Sequence, residues 1–180
     1  ANTCQRIGFY AQTDQNVCAG LPAEIMKACL LLGSNLGDRE ALLSQARSRI
    51  ALDCGQVIKV SKIYETAPWG FEADTPFLNQ AILIDTAHTS QELLSHCLRI
   101  EVLLGRERPA NLECTYTSRC IDIDILFYEE EVCQTPQLTL PHPRLHLRTF
   151  ALEPLSEVAP TWKHPILDFT AGEMIKNLGF

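Results

Sequence analysis

The chain has 180 residues, 46% hydrophobic and 21% charged, with a formal net charge of -7. That is ordinary globular composition, long enough for one domain with a sizeable core. The negative balance argues against a broad nucleic-acid-binding face, no apolar run approaches the roughly 20 residues that cross a bilayer, and no basic start precedes an apolar stretch as in a signal peptide.

Neither nucleic acid nor a membrane is therefore expected as a partner, and the cytoplasm is the expected compartment. The eight cysteines contain no C-x-x-C pair, so they do not suggest a zinc site. Several fall inside apolar patterns, where a free thiol behaves as a small hydrophobe, and they are read as reduced.

Residues 1–25 show no clear period and read as an N-terminal extension to a single domain over 26–180. A compact strand begins at Met26-Lys27-Ala28-Cys29-Leu30-Leu31-Leu32-Gly33. The turn Ser34-Asn35-Leu36-Gly37 follows, and Asp38 can cap a helix whose Leu43, Ala46 and Ile50 share one face. Gly55 ends that helix. A strand is predicted over 57–66, broken by Ala67-Pro68-Trp69-Gly70, with a loop to Pro76.

Residues 77–86 predict another strand. A helix over about 90–104 follows, capped by Ser90, with Leu93, Cys97, Ile100 and Leu104 as its buried stripe and Gly105 as its stop. Polar residues 106–118 read as a long loop. Residues 120–128 form the most hydrophobic strand pattern, opened by Arg119. After irregular pieces and Pro141-His142-Pro143, a helix is predicted over about 144–157. The order βαββαβ plus a helix suggests an α+β fold: a ferredoxin-like sheet with helices packed on it in three layers, α-β-α.

The strand Arg119-Cys120-Ile121-Asp122-Ile123-Asp124-Ile125-Leu126 carries the main chemical signal. Alternation puts Ile121, Ile123, Ile125 and Phe127 on one face and Asp122 and Asp124 on the other, with Cα atoms roughly 6.5–7 Å apart. Two carboxylates on an apolar strand are costly unless neutralised, and magnesium held by carboxylates and substrate phosphates would neutralise them. A solvent-facing strand edge with meaningless alternation is the competing reading. Arg106, Arg108, Arg119 and Arg148 favour a metal-phosphate site, because guanidinium clamps phosphate oxygens in bidentate fashion; surface ion pairing is the alternative for any one of them. His142 lies in a rigid turn and could touch a phosphate or a base. Phe77 and Phe150 could stack on a flat ring whose edge Asn79 reads, although core packing also accounts for both rings. The segment Gly33-Ser34-Asn35-Leu36-Gly37-Asp38 lacks G-K-[ST] and is not a P-loop.

Together these segments resemble the 6-hydroxymethyl-7,8-dihydropterin pyrophosphokinases of folate biosynthesis. The resemblance runs over about 26–160 through Leu32 to Asp38, Tyr64 to Gly70, Phe77-Leu78-Asn79, Glu101 with Leu104-Gly105-Arg106, Arg119 to Leu126, and Leu140 to Arg144 with Arg148 and Phe150. It implies transfer of a diphosphate from ATP to the hydroxymethyl group of the dihydropterin, releasing AMP. It implies two magnesium ions held by Asp122 and Asp124, with Arg106 and Arg119 also catalytic. Thr66, Trp69, Phe77, Asn79 and Phe150 would bind the pterin. Glu101, Arg108, Arg119, Ile125, His142 and Arg148 would serve ATP. The expected molecule is a monomer or weak dimer. Another magnesium-dependent nucleotide enzyme and a non-catalytic pterin- or nucleotide-binding module are the alternatives. Departures from the family lie at Tyr116, Leu98 and Gln137, where relatives carry tryptophan, glutamine and arginine.

Overall fold

In the computed structural model, which describes residues 24–68, 75–106 and 119–179, β1 runs Met26–Ser34 and α1 Arg39–Asp53. Two short strands, β2 (Gln56–Val60) and β3 (Tyr64–Thr66), precede the long β4 (Phe77–Thr86) and α2 (Ser90–Leu103). Then come β5 (Asp122–Tyr128), a small hairpin of β6 (Cys133–Gln134) and β7 (Thr139–Leu140), a 3-10 turn at Leu145–Leu147, α3 (Thr149–Val158) and α4 (Ala171–Asn177).

The main sheet is antiparallel with order β2-β4-β1-β5, and β3 also pairs with β4. β1 and β2 flank β4, the split arrangement of a ferredoxin-like βαββαβ unit. One face of the sheet packs Leu30, Leu32, Ile82 and Ile123 against Leu43, Ile50, Leu93 and Ile100 of α1 and α2. The other packs Leu31, Ala81 and Phe127 against Leu152, Leu155 and Met174 of α3 and α4. Both faces are covered, so β1 and β4 read as continuous apolar runs rather than alternating ones. Each fully buried leucine or isoleucine contributes about 1.5–3 kcal/mol. The three-layer fold is as the sequence predicts.

Local chemistry explains the element ends. Asp38 caps α1 by accepting from the Ala41 N–H at 3.1 Å. Gly55, at φ +146, must be glycine, because a Cβ there would stand 2.2 Å from the Asp85 carbonyl oxygen.

Several expectations need correction. The strand predicted over 57–66 is two strands, because Ser61 leaves the ladder: its hydroxyl accepts from the Ala81 N–H at 3.0 Å. The cap of α2 is Thr89, not Ser90: Thr89 and Glu92 form a reciprocal capping box, while the Ser90 hydroxyl donates to Glu131 at 2.9 Å. The helix predicted over 144–157 divides into the 3-10 turn and α3. Arg119 precedes β5 instead of opening it. Phe127 lies across the sheet from Ile121, Ile123 and Ile125, because a bulge opposite Cys29/Leu30 skips Leu126 and inverts the alternation. The β6–β7 hairpin and α4 have no counterpart among the predicted elements. The expected N-terminal extension falls almost wholly outside the described residues.

Candidate active site

β5 is an edge strand of the main sheet. Asp122 and Asp124 stand opposite Gly33 and Leu31 of β1 and share the face that Leu31 presents. The two carboxylates sit in different environments. Asp122 Oδ1 accepts from Arg106 Nη1 at 2.5 Å, and its Oδ2 accepts from Arg119 Nη1 at 2.6 Å. Burial pushes its pKa up, but the two guanidinium charges outweigh that and hold it below the usual carboxylate value. Asp124 has no hydrogen-bond or ion-pair partner among the described residues. Burial, reinforced by the neighbouring Asp122 charge, pushes its pKa up to about 7.

Glu101 of α2 organises this edge. It is 1% exposed. It accepts the Ile123 N–H at 2.8 Å and pairs with Arg106 Nη1 at 2.5 Å. One buried carboxylate thus satisfies an edge-strand donor between the two aspartates and aims Arg106 at Asp122.

The cavity along this edge has a volume of about 310 Å³. Arg106, Arg119, Asp122, Asp124, Glu101, Ile125 and His142 line it, with Leu94 and Leu98 of α2 on one wall and Thr135–Thr139 on the other. The His142 N–H donates to the Leu126 carbonyl at 2.9 Å, which seats its ring beside the strand. Its Nε2 lies 3.5 Å from Arg148 Nη1. Burial, then the Arg148 charge, lowers its pKa to about 4, so the ring is neutral at pH 7. Arg148 also lies over the Phe150 ring, 5.6 Å from its centroid.

A polar wall continues across the sheet. Asn79 of β4 is 3% exposed and donates to the Thr66 hydroxyl of β3 at 2.8 Å. Phe77 pairs with Thr66 in the ladder. Phe150 enters from the first turn of α3. Of the candidate site residues, Trp69 and Arg108 lie outside the described residues, as do Gly70 of the Tyr64–Gly70 motif and Tyr116 among the departures.

Three supporting residues were not assigned from sequence. Asn35, fully buried, accepts the Arg119 N–H on its Oδ1 at 2.7 Å and donates its own N–H to the Arg119 carbonyl at 3.1 Å. Ser34 donates to the Cys120 carbonyl at 2.5 Å. Together they extend the β1–β5 pairing to Arg119. Glu157 of α3 accepts the Lys62 N–H and the Tyr64 hydroxyl, both at 2.8 Å, and so ties β3 to the helix that carries Phe150. The turn containing Ser34 and Asn35 was visible as a polar interruption after an apolar strand, but its partner 84 residues away was not.

No described group of three or more His, Cys, Asp or Glu side chains could hold a metal alone. Two hard carboxylates beside two arginines suit magnesium, which takes one or two carboxylates and completes its shell with phosphate oxygens and water.

The sequence model of the 7,8-dihydro-6-hydroxymethylpterin-pyrophosphokinase (HPPK) family matches residues 29–160. The chain is 44% identical over 137 residues to the 2-amino-4-hydroxy-6-hydroxymethyldihydropteridine pyrophosphokinase of Porphyromonas gingivalis, covering 76% of this chain and 92% of that protein. To the protein of the same name from Bacillus subtilis it is 44% identical over 132 residues, covering 73% and 77%. A solved structure of Plasmodium falciparum HPPK-DHPS, a triple mutant with SDX-DHP, superposes with a TM-score of 0.70 at 18% identity, over 87% of this chain and 44% of that one. That likeness concerns the fold, and the chain spans less than half of the solved protein.

Proposed function

The chain belongs to the 7,8-dihydro-6-hydroxymethylpterin-pyrophosphokinase family, and from that premise we propose how its residues divide the work. The reaction is transfer of a diphosphate from ATP to the hydroxymethyl group of the dihydropterin, in folate biosynthesis. The hydroxymethyl oxygen attacks the β-phosphorus, the bond to the α-β bridging oxygen breaks, and AMP leaves.

Such a transfer needs positioning and charge neutralisation more than covalent chemistry. Asp122 and Asp124 are the proposed ligands of two magnesium ions, which when bound would neutralise phosphate charge and acidify the attacking hydroxyl. Arg106 and Arg119, now on Asp122, are proposed to turn to the phosphate oxygens as ATP enters and to leave Asp122 for the metal. This exchange keeps the charges of Asp122, Arg106 and Arg119 partnered in both states. Arg148 and the neutral His142 are proposed to meet the nucleotide phosphates from the opposite wall, with Arg108 completing the set. Ile125 would contact the base, and Glu101 is a positioning acid rather than a direct ligand. Phe77 and Phe150 would enclose the pterin ring, Asn79 and Thr66 would read its polar edge, and Trp69 would close the same pocket. The free thiols of Cys29, Cys54, Cys97, Cys120 and Cys133 support a reducing, cytoplasmic setting. No described helix is long and apolar enough to cross a membrane.

The observation that carries these roles is the unequal carboxylate pair: Asp122 held by two arginines, and Asp124 without a hydrogen-bond or ion-pair partner among the described residues and raised to a pKa of about 7. Mass spectrometry of the products from ATP, magnesium and the hydroxymethyl dihydropterin tests the reading. AMP and diphosphorylated pterin in equal amounts are expected, with no turnover in chelator; steady ADP without modified pterin would overturn it.

A further inference from the structure

Across one face of the sheet a single row reads Asp122, Gly33, Asn79 and Tyr64, each directly opposite the next. Two strand spacings separate Asp122 from Asn79, roughly 10 Å. The amide assigned to the pterin edge and a carboxylate assigned to the metal thus face each other across one residue with no side chain.

The fold does not require glycine there. Gly33 is absent from the glycines at positive φ. A Cβ on it would meet Asn79 Oδ1 at 3.5 Å, Phe77 Cδ1 at 3.8 Å and Asp122 Cβ at 3.9 Å, all ordinary contacts. Gly55 shows the contrasting case, where a Cβ would collide with backbone at 2.2 Å. Glycine inside a strand is entropically unfavourable and packs nothing. Its presence at a position where both backbone and neighbours accept alanine points to a third body that needs the space.

We propose that Gly33 sets substrate specificity: having no side chain, it leaves the gap in which the edge of the planar fused-ring substrate sits while Phe77 and Phe150 cover its faces, with the amide end at Asn79 and the reactive arm toward Asp122. The inference rests on the assignment of pterin to this face. A methyl group at 33 would stand among an amide oxygen, an aromatic ring and the metal-binding aspartate, in the volume the ring edge occupies, and would push it away from all three. The nucleotide, on the far side of Asp122 along the β5 edge, would not feel the change.

The test uses Gly33→Ala and Gly33→Val in the full chain, with thermal melts, binding of a non-hydrolysable ATP analogue with magnesium, and binding of 6-hydroxymethylpterin by calorimetry. Gly33→Ala should melt at or slightly above the wild-type temperature and bind the nucleotide within about twofold, while pterin affinity and kcat/KM for pterin fall about tenfold or more. Gly33→Val should lose more pterin affinity with the same nucleotide affinity. Unchanged pterin binding by well-folded variants would overturn the inference, as would misfolding of Gly33→Ala or an equal loss of nucleotide. Wild-type protein that binds the nucleotide but no pterin would instead overturn the site assignment beneath it.

Discussion

Asp122 and Asp124 have the same side chain and the same strand, yet they titrate in opposite directions. Asp124 ionises in the folded state near pH 7, above its value of 3.8 in an unfolded chain. Its ionisation therefore opposes folding: the penalty is absent below about pH 4 and complete above about pH 7. Asp124→Asn should raise the stability of the metal-free protein at pH 8 by on the order of 1–3 kcal/mol, with the difference vanishing toward pH 4 in denaturant titrations. Asp122 behaves oppositely, because its lowered pKa supplies stability that is present above the unfolded value and lost as pH falls through the folded one. Asp122→Asn should cost stability at pH 7, since it weakens the partners of Arg106 and Arg119. Both substitutions should lower kcat by a factor on the order of 10² to 10⁴, measured as AMP formation at saturating magnesium. A stabilising substitution that abolishes turnover identifies a residue kept for chemistry. Asn35→Ala should act through Arg119, raising KM for ATP by a factor on the order of ten while KM for pterin stays within about twofold.

At the level of elements, the proposed site is where the edge of β5 meets α2 and where β3 meets α3. Glu101→Ala would leave the Ile123 N–H without its acceptor and Arg106 without one carboxylate. It should cost about 2–4 kcal/mol in denaturant unfolding, whereas Glu101→Gln, which keeps the acceptor, should cost less than half of that. Glu157 holds β3 to α3 through Lys62 and Tyr64. Burial, then the hydrogen bond to Glu157, pushes the Tyr64 hydroxyl up to about 12, so it remains a donor throughout the working pH range. Glu157→Ala should raise KM for pterin several-fold and leave KM for ATP unchanged in initial-rate assays, because it loosens only the wall carrying Thr66 and Phe150.

For the molecule as a whole, the family match begins at residue 29 and β1 at Met26. Among the described residues, every member of the two core clusters lies at Met26 or beyond. A chain beginning at Glu24 should therefore fold with a melting temperature within a few degrees of the full chain and keep kcat within about twofold. Much of this organisation was legible in the residues alone. The spacing of Leu43, Ala46 and Ile50 marked α1, the apolar run over 77–86 marked β4, and the alternating acids marked the strand β5 that carries the proposed metal ligands, because each is a local pattern of period 3.6 or 2. The inverted face of Phe127 was not legible, since a bulge is a relation between two strands. Nor were the break at Ser61 and the roles of Asn35, Glu101 and Glu157, whose partners are distant in sequence.

By itself the sequence determined which residues carry charge, which faces are apolar and which family the motifs resemble, because these depend on side-chain chemistry at short separations. Only the tertiary structure decided which of two neighbouring aspartates the arginines claim, which carboxylate braces the strand between them, and that Gly33 leaves an open gap between amide and acid. Those outcomes depend on antiparallel register and on burial, which exist only once strands far apart in the chain lie side by side.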